Sequence, residues 1–274
     1  MGLLALILAV SPSPAWSAMD AAERTRAIEE LKSQPWPGRL AAATAPFRGT
    51  PYVVSPLGEG ERPDPDPLVR FDALDCLTLV EEGLALSTAP DDARLVATLN
   101  RVRYSGAPSY GHRNHVMEAQ WLPHMVQEGW LKDVTRAYGG KATRRVKKAL
   151  TAATWKGKLG RSLALEPGDQ AKGEFELDVI PAGAVLSALA SAPEGLVLVV
   201  VRADSPSMVT RVSHVAVLVH GPQGPTLRHA SSTRHQVVDE PLAHFLAQNR
   251  KASWALEGLA VYEPVQPPGD DGGR

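Results

Sequence analysis

Hydrophobic positions change their spacing along this chain, from helical in the N-terminal part to strand-like near the C-terminus. Asp20 to Gln34 is polar and amphipathic and stops at Pro35-Trp36-Pro37-Gly38, which predicts a helix. A short segment, Leu40 to Phe47, leads through Gly49-Thr50-Pro51-Tyr52 into Ser55 to Pro67, a proline- and glycine-rich surface loop. Asp75 then precedes Leu77, Val80, Leu84 and Leu86, so a helix is expected with Cys76 in its first turn. A second helix is predicted from Pro90 to about Arg101, and a third from Val116 to Trp130, introduced by His112-Arg113-Asn114-His115.

From Ile180 the texture becomes that of a sheet. Leu196 to Val201 is a buried-strand run, Val212 to His220 a second strand and Thr226 to Ser232 a third, across Gly221-Pro222-Gln223-Gly224-Pro225. Leu242 to Asn249 reads as a short helix and Leu259 to Tyr262 as a last strand. Helices followed by an antiparallel sheet predict an α+β fold in one domain, residues 18–265.

The termini modify that picture. Met1 to Val10 is apolar but too short to span a bilayer, and Ala15 and Ser17 form a small-x-small pair, the outline of a signal peptide over residues 1–17 without a basic n-region. Export to the periplasm or medium is therefore expected, with no lipoprotein anchor and no transmembrane segment. Residues 266–274, rich in proline, glycine and aspartate, are expected to be disordered.

Composition adds exclusions. The 274 residues are 44 % apolar and 22 % charged, with a net charge of −1, so no global field attracts nucleic acid. Arg144 to Arg161 is locally basic and reads as a solvated face, with no nucleic-acid motif beside it. A monomer is expected.

Cys76 is the only cysteine. A helix start favours the thiolate, the nucleophilic form, whereas a buried free cysteine is ordinarily packing. A lone thiol in an exported chain tips the balance towards chemistry. Cysteine catalysis needs a base and a group to orient it. His214 opens a strand that otherwise reads as core, and His229 lies on the next. If Val219 faces Thr226, His229 faces Ala216 and shares a sheet face with His214, at a diagonal separation of roughly 7–8 Å; a slip of one residue separates them. His112, His115 and His124 raise zinc, but no H-E-x-x-H spacing supports it, and neither metal nor cofactor is expected.

Gly49-Thr50-Pro51-Tyr52 followed by Phe71-Asp72-Ala73-Leu74-Asp75-Cys76 resembles the NlpC-type cell-wall cysteine peptidases. Asp75 to Glu81, Val102 to Gly106, His112 to His115, Ser213-His214-Val215 and His229 to Ser232 resemble, in order, the amidase-like branch of that superfamily. The resemblance implies a papain-like fold and cleavage between N-acetylmuramic acid and L-alanine in peptidoglycan or muropeptides. It also implies Cys76 as nucleophile, His214 as base, His229 as its orienter and Tyr52 at the oxyanion. Arg103, Tyr104 and Arg113 are implied as grips on sugar or peptide carboxylates. Asp-Cys-Leu-Thr stands where the superfamily more often has Asp-Cys-Ser-Gly, and Glu194-Gly195 where it has Gly-Asp. A stem-peptide endopeptidase cutting between D-glutamate and diaminopimelate, and a non-catalytic wall-binding module, are the rival expectations.

Overall fold

Val197–Arg202 (β4) is apolar at every position but its last because both of its faces are covered. It lies inside one antiparallel sheet with β1 (Leu131–Asp133), β2 (Arg144–Leu150), β3 (Gly173–Pro181), β5 (Val212–Gly221), β6 (Gly224–Ser231), β7 (Gln236–Pro241) and β8 (Leu256–Pro264). The order is β2-β3-β8-β4-β5-β6-β7, with β1 also pairing with β8. The computed structural model describes residues 15–268, and the fold of that part is α+β with an antiparallel sheet.

Alternation along the strands divides the core into two layers. Val197, Val199, Val201, Val215 and Val217 face the cysteine helix Cys76–Thr88 through Val80 and Leu84. Leu198, Val200, Ala216 and Leu218 face the C-terminal helix Leu242–Asn249 through Leu242, Phe245 and Leu246. Each fully buried side chain of this size contributes about 1.5–3 kcal/mol. The cysteine helix is buried on nearly all sides, and Gly83 lets it approach the helix Gly38–Thr44. A Cβ at Gly83 would lie 2.6 Å from Thr44 Cγ2.

Several expectations hold and others shift. Ala21–Lys32 forms the first helix with a capping box between Asp20 and Glu23, and Leu242–Asn249 forms with the expected bounds. The sheet does not wait for Ile180: β1, β2 and most of β3 come earlier, hidden in the sequence because β2 and the first half of β3 alternate charges rather than apolar residues. Arg145 and Lys147 meet Glu174, Glu176 and Asp178 across that pair, a solvated face as expected. Lys148 departs from it: the side chain is buried, and its Nζ donates to Asp204 Oδ1 and Ser205 O, both at 2.8 Å. The helix expected from Val116 to Trp130 is a π turn, Met117–Trp121, followed by Leu122–Gln127. Pro123 lacks the N–H that a regular turn needs at that point.

Trp16, expected in the leader, is buried against Phe47 and donates from Nε1 to Ala43 O at 2.8 Å. Near the other end Gln266 Oε1 accepts from Trp36 Nε1 at 3.1 Å and Arg39 Nη1 at 3.2 Å. Leader positions 1–14 and tail positions 269–274 lie outside the described residues. Among the described residues no helix is long and apolar enough to cross a membrane.

Gly195, in the expected Glu194-Gly195 pair, enters β4 with φ of +91°, and a Cβ there would lie 1.8 Å from Pro37 O. Gly195→Ala is predicted to lose about 3 kcal/mol by left-handed strain and overpacking. Denaturant unfolding checks this; a change below about 0.5 kcal/mol contradicts it.

Candidate active site

Asp75 starts the cysteine helix with both ends of its side chain committed. Oδ1 accepts from Leu77 N at 3.0 Å and Thr78 N at 2.8 Å, Oδ2 accepts from Ser55 N at 3.1 Å, and Asp75 N donates to Thr78 Oγ1 at 2.9 Å. This capping box fixes Cys76 as the first helical residue. The Tyr52 segment is fastened beside it, with Val53 N donating to Leu74 O at 3.1 Å and Leu74 N to Pro51 O at 3.0 Å. The Tyr52 phenol feels both Cys76 and Asp75, and its pKa rises from burial first and from their charges second. Its hydroxyl has no protein partner among the described residues.

The histidines meet on the strands. Val219 pairs with Thr226 and Val217 with Arg228, the expected register, which carries His229 opposite Ala216. Beyond Val217 the β5–β6 ladder stops, while β6 stays paired with β7 through His229–Val238 and Ser231–Gln236. His214 Nε2 and His229 Nδ1 lie 2.8 Å apart with their rings at 89°. The His214 ring stacks on Phe245, with centroids 6.0 Å apart at 25°. His229 Nε2 continues to Glu240 Oε2 at 3.2 Å, and Glu240 Oε1 to His244 Nδ1 at 2.5 Å. Glu240 and His244 are additions that sequence reasoning missed. A signal for them is visible once β7 is known: Glu240 stands two residues past Val238, the partner of His229, on the same face.

A cavity of about 670 Å³ opens over this chain, lined by Arg202, His214, His229, Arg234, Glu240 and Phe245. Cys76 is not in its wall. The thiol reaches β5 from the layer of the cysteine helix, and the imidazole pair stands in the layer of Phe245. Leu218 exchanges its backbone hydrogen bonds with Gly195 and Leu196, on the β4 side. By alternation Val215 N–H points the other way, towards the opening between β5 and β6, near enough to Cys76 to favour its thiolate. No hydrogen bond joins Cys76 to His214 among the described residues. The Nδ1 of His214 likewise has no protein partner there. The structure therefore brings His214 and His229 together and sets Cys76 against the backbone next to His214.

Protonation departs from expectation. Burial pushes the Cys76 thiol up to about 12, with the Asp75 carboxylate adding to it; the N–H groups of Val215, Cys76 and Leu77 work the other way. A helix start stabilises an anion by about 0.3–1 kcal/mol, less than one pKa unit at about 1.4 kcal/mol. It does not offset the burial of the sulfur, so the surroundings favour the thiol where the helix start favours the thiolate. Burial lowers His214 to about 3, followed by the neighbouring His229 and Arg202, and burial lowers His229 as well. The resting group is thus a neutral thiol beside two neutral imidazoles.

The three residues expected to grip substrate turn inward. Arg103 pairs with Glu81 at 3.3 Å and donates to Leu57 O at 3.0 Å. Arg113 binds Glu59 at 2.6 Å and Asp64 at 2.9 Å, and Tyr104 donates to Glu59 Oε1 at 2.8 Å. Together they pin the loop 55–67, whose first residue touches Asp75. Tyr104 also borders a second cavity of about 710 Å³, with Asn100, Asn114, Gln120 and His124. The ring nitrogens of His112, His115 and His124 meet backbone carbonyls of Ala107, Tyr110 and Arg101. Among the described residues no cluster of three or more histidine, cysteine or acidic side chains is placed to hold a metal ion.

A raised thiol pKa means less thiolate at neutrality than a free cysteine carries. Alkylation of Cys76 by iodoacetamide is therefore predicted to be slow at pH 7 and to go on climbing past about pH 10, where an ordinary thiol has levelled off. Mass spectrometry of the adduct follows it, and a plateau already reached by about pH 10 contradicts it.

Comparison with known proteins places this geometry. No curated protein matches the sequence. A Legionella pneumophila protein of the DUF1460 family-model superposes with a TM-score of 0.77 at 22 % identity, over 90 % of this chain and 95 % of its own. An N-acetylmuramoyl-L-alanine amidase from Bacteroides uniformis gives 0.64 at 21 %, over 82 % and 99 %. A putative xylanase from Bacteroides fragilis gives 0.64 at 24 %, over 81 % and 98 %. At these identities the neighbours share the fold. The family model described as AmiA-like, N-acetylmuramoyl-L-alanine amidase-like, matches residues 42–253, a span that holds Cys76, His214, His229 and Glu240. On that match, the chain belongs to the AmiA-like, N-acetylmuramoyl-L-alanine amidase-like family.

Proposed function

We propose that this protein is an exported cell-wall cysteine amidase with an NlpC-type, papain-like arrangement of nucleophile and base. Its substrate is peptidoglycan or a muropeptide, and the bond hydrolysed is the amide between N-acetylmuramic acid and L-alanine. The observation that carries the reading is the His214–His229 contact at 2.8 Å, which leaves His214 Nδ1 free beside the strand segment that Cys76 touches.

His214 Nδ1 takes the thiol proton as Cys76 Sγ attacks the amide carbonyl carbon; with both groups neutral at rest, proton transfer and attack proceed together. A turn of the Cys76 side chain into the opening between β5 and β6 brings sulfur and imidazole together. The tetrahedral oxyanion is met by the Cys76 backbone N–H and the Tyr52 hydroxyl. The C–N bond breaks, the leaving L-alanine nitrogen takes the proton from His214, and a thioester on Cys76 remains. Water, deprotonated by the same nitrogen, releases the muramoyl carboxylic acid and restores the thiol.

Arg103, Tyr104 and Arg113 serve the site indirectly, by holding the loop that supports Tyr52 and Asp75. Arg234 is better placed for a stem-peptide carboxylate, since it lines the histidine cavity, is exposed and has no acidic partner among the described residues.

Turnover of a defined muropeptide is predicted to fall by roughly 10³-fold or more in Cys76→Ala and His214→Ala, and about 100-fold in Tyr52→Phe. Retained activity in Cys76→Ala would sink the mechanism. Mass spectrometry of the products identifies the bond: amidase action frees the intact stem peptide from the sugar, whereas endopeptidase action leaves L-alanine attached to it. Arg234→Ala is expected to raise KM about tenfold on a substrate with stem carboxylates, with kcat little changed. A KM unchanged on that substrate would remove Arg234 from recognition.

A further inference from the structure

A histidine pair joined nitrogen to nitrogen is ambiguous on its own, because either ring can donate. The ambiguity has chemical weight here. If His214 Nε2 carries the proton, its Nδ1 is a lone pair and can act as a base. If His229 Nδ1 donates instead, His214 Nε2 accepts, and a neutral His214 must carry its proton on Nδ1, where it cannot take one from a thiol.

Glu240 removes the choice. Its carboxylate has acceptors only, and Oε2 lies 3.2 Å from His229 Nε2. The proton of that contact therefore belongs to His229 Nε2. A neutral His229 then holds an unprotonated Nδ1, which accepts from His214 Nε2–H across the 2.8 Å contact. His214 has spent its one proton, and its Nδ1 is left as a lone pair. The direction of donation runs from His214 to His229 to Glu240.

The surroundings favour a neutral pair over a protonated one. Burial holds both rings below the ordinary histidine range. Arg202, a buried guanidinium near His214, opposes a further positive charge. Its donors go to Ser213 Oγ at 2.7 Å, Trp254 O at 3.1 Å and Asn249 Oδ1. Asp239, the other acid near His229, is held by Arg228 through two contacts of 2.8 Å and does not compete. Glu240 is itself fixed from both sides, by β7 pairing with Leu227 and by His244 Nδ1 on its second oxygen.

We propose that Glu240 is a positioning residue that sets the tautomers of both histidines, so that His214 presents an unprotonated Nδ1 towards the Cys76 side of β5. The word base in this account rests on the amidase reading; the tautomers do not.

The test is ¹⁵N NMR of the histidine-labelled full chain at pH 7, assigned through single histidine substitutions. Both His214 and His229 are expected to carry their proton on Nε2 alone. In Glu240→Gln an amide can donate as well as accept, so the Nδ1–H form of His214 is expected to appear. On the amidase reading kcat then falls about tenfold to a hundredfold, with KM nearly unchanged. Glu240→Asp is expected to restore part of both signals, which separates positioning from a loss of folding. A proton on Nδ1 of His214 in the unsubstituted protein, or an imidazolium at His229, overturns the proposal even if the enzyme is active. The expected tautomers without turnover of any muropeptide support the relay and overturn the amidase reading instead.

Discussion

The register between β5 and β6 is the constraint on which the site depends. With Val219 opposite Thr226, His214 and His229 fall on one face, and the end of the ladder at Val217–Arg228 leaves β5 open on the side where they stand. A slip of one residue would send His229 into the layer of the cysteine helix and leave His214 without a partner. The same alternation points Val215 N–H towards the opening, on the side from which the sulfur approaches. The two core layers hold that register from above and below through the fit of the side chains packed on each face of β4 and β5.

Burial gives the site order at the expense of charge. The sulfur and the imidazoles sit where ions are poorly solvated, and the helix-start field is too weak to reverse that. On the proposed mechanism a neutral resting state follows, in which reactivity would come from positioned hydrogen bonds rather than a standing ion pair. A carboxylate at the far end of the histidine chain orients two neutral imidazoles without placing a charge beside the thiol. Arg103 and Arg113 act on the other border of the site. Their ion pairs with Glu81, Glu59 and Asp64 convert a proline-rich loop into a fixed wall.

How far the sequence was readable followed from how each feature is encoded. The cysteine helix, the central strands and the C-terminal helix have strong periodicity and turn signals. The histidine pair followed from period-two arithmetic once a single register was assumed. The charged strands β2 and β3 were missed because their stability comes from cross-strand ion pairs, which leave no apolar pattern. Glu240 was missed for a related reason: β7 is short, half polar and ends in proline. The inward turn of Arg103, Tyr104 and Arg113 depends on contacts with residues some 50 positions away (Arg113 and Glu59 are 54 apart), beyond the reach of local pattern. Resting protonation is likewise a tertiary property, set by what packs against the sulfur.

The central claim is that Cys76 attacks the muramoyl carbonyl. Intact-protein mass spectrometry of reactions quenched before steady state reads it most directly. The account predicts a transient adduct on Cys76 whose added mass is the N-acetylmuramoyl acyl group without the peptide. Turnover with no adduct at Cys76, or an adduct that carries stem-peptide residues, would contradict it.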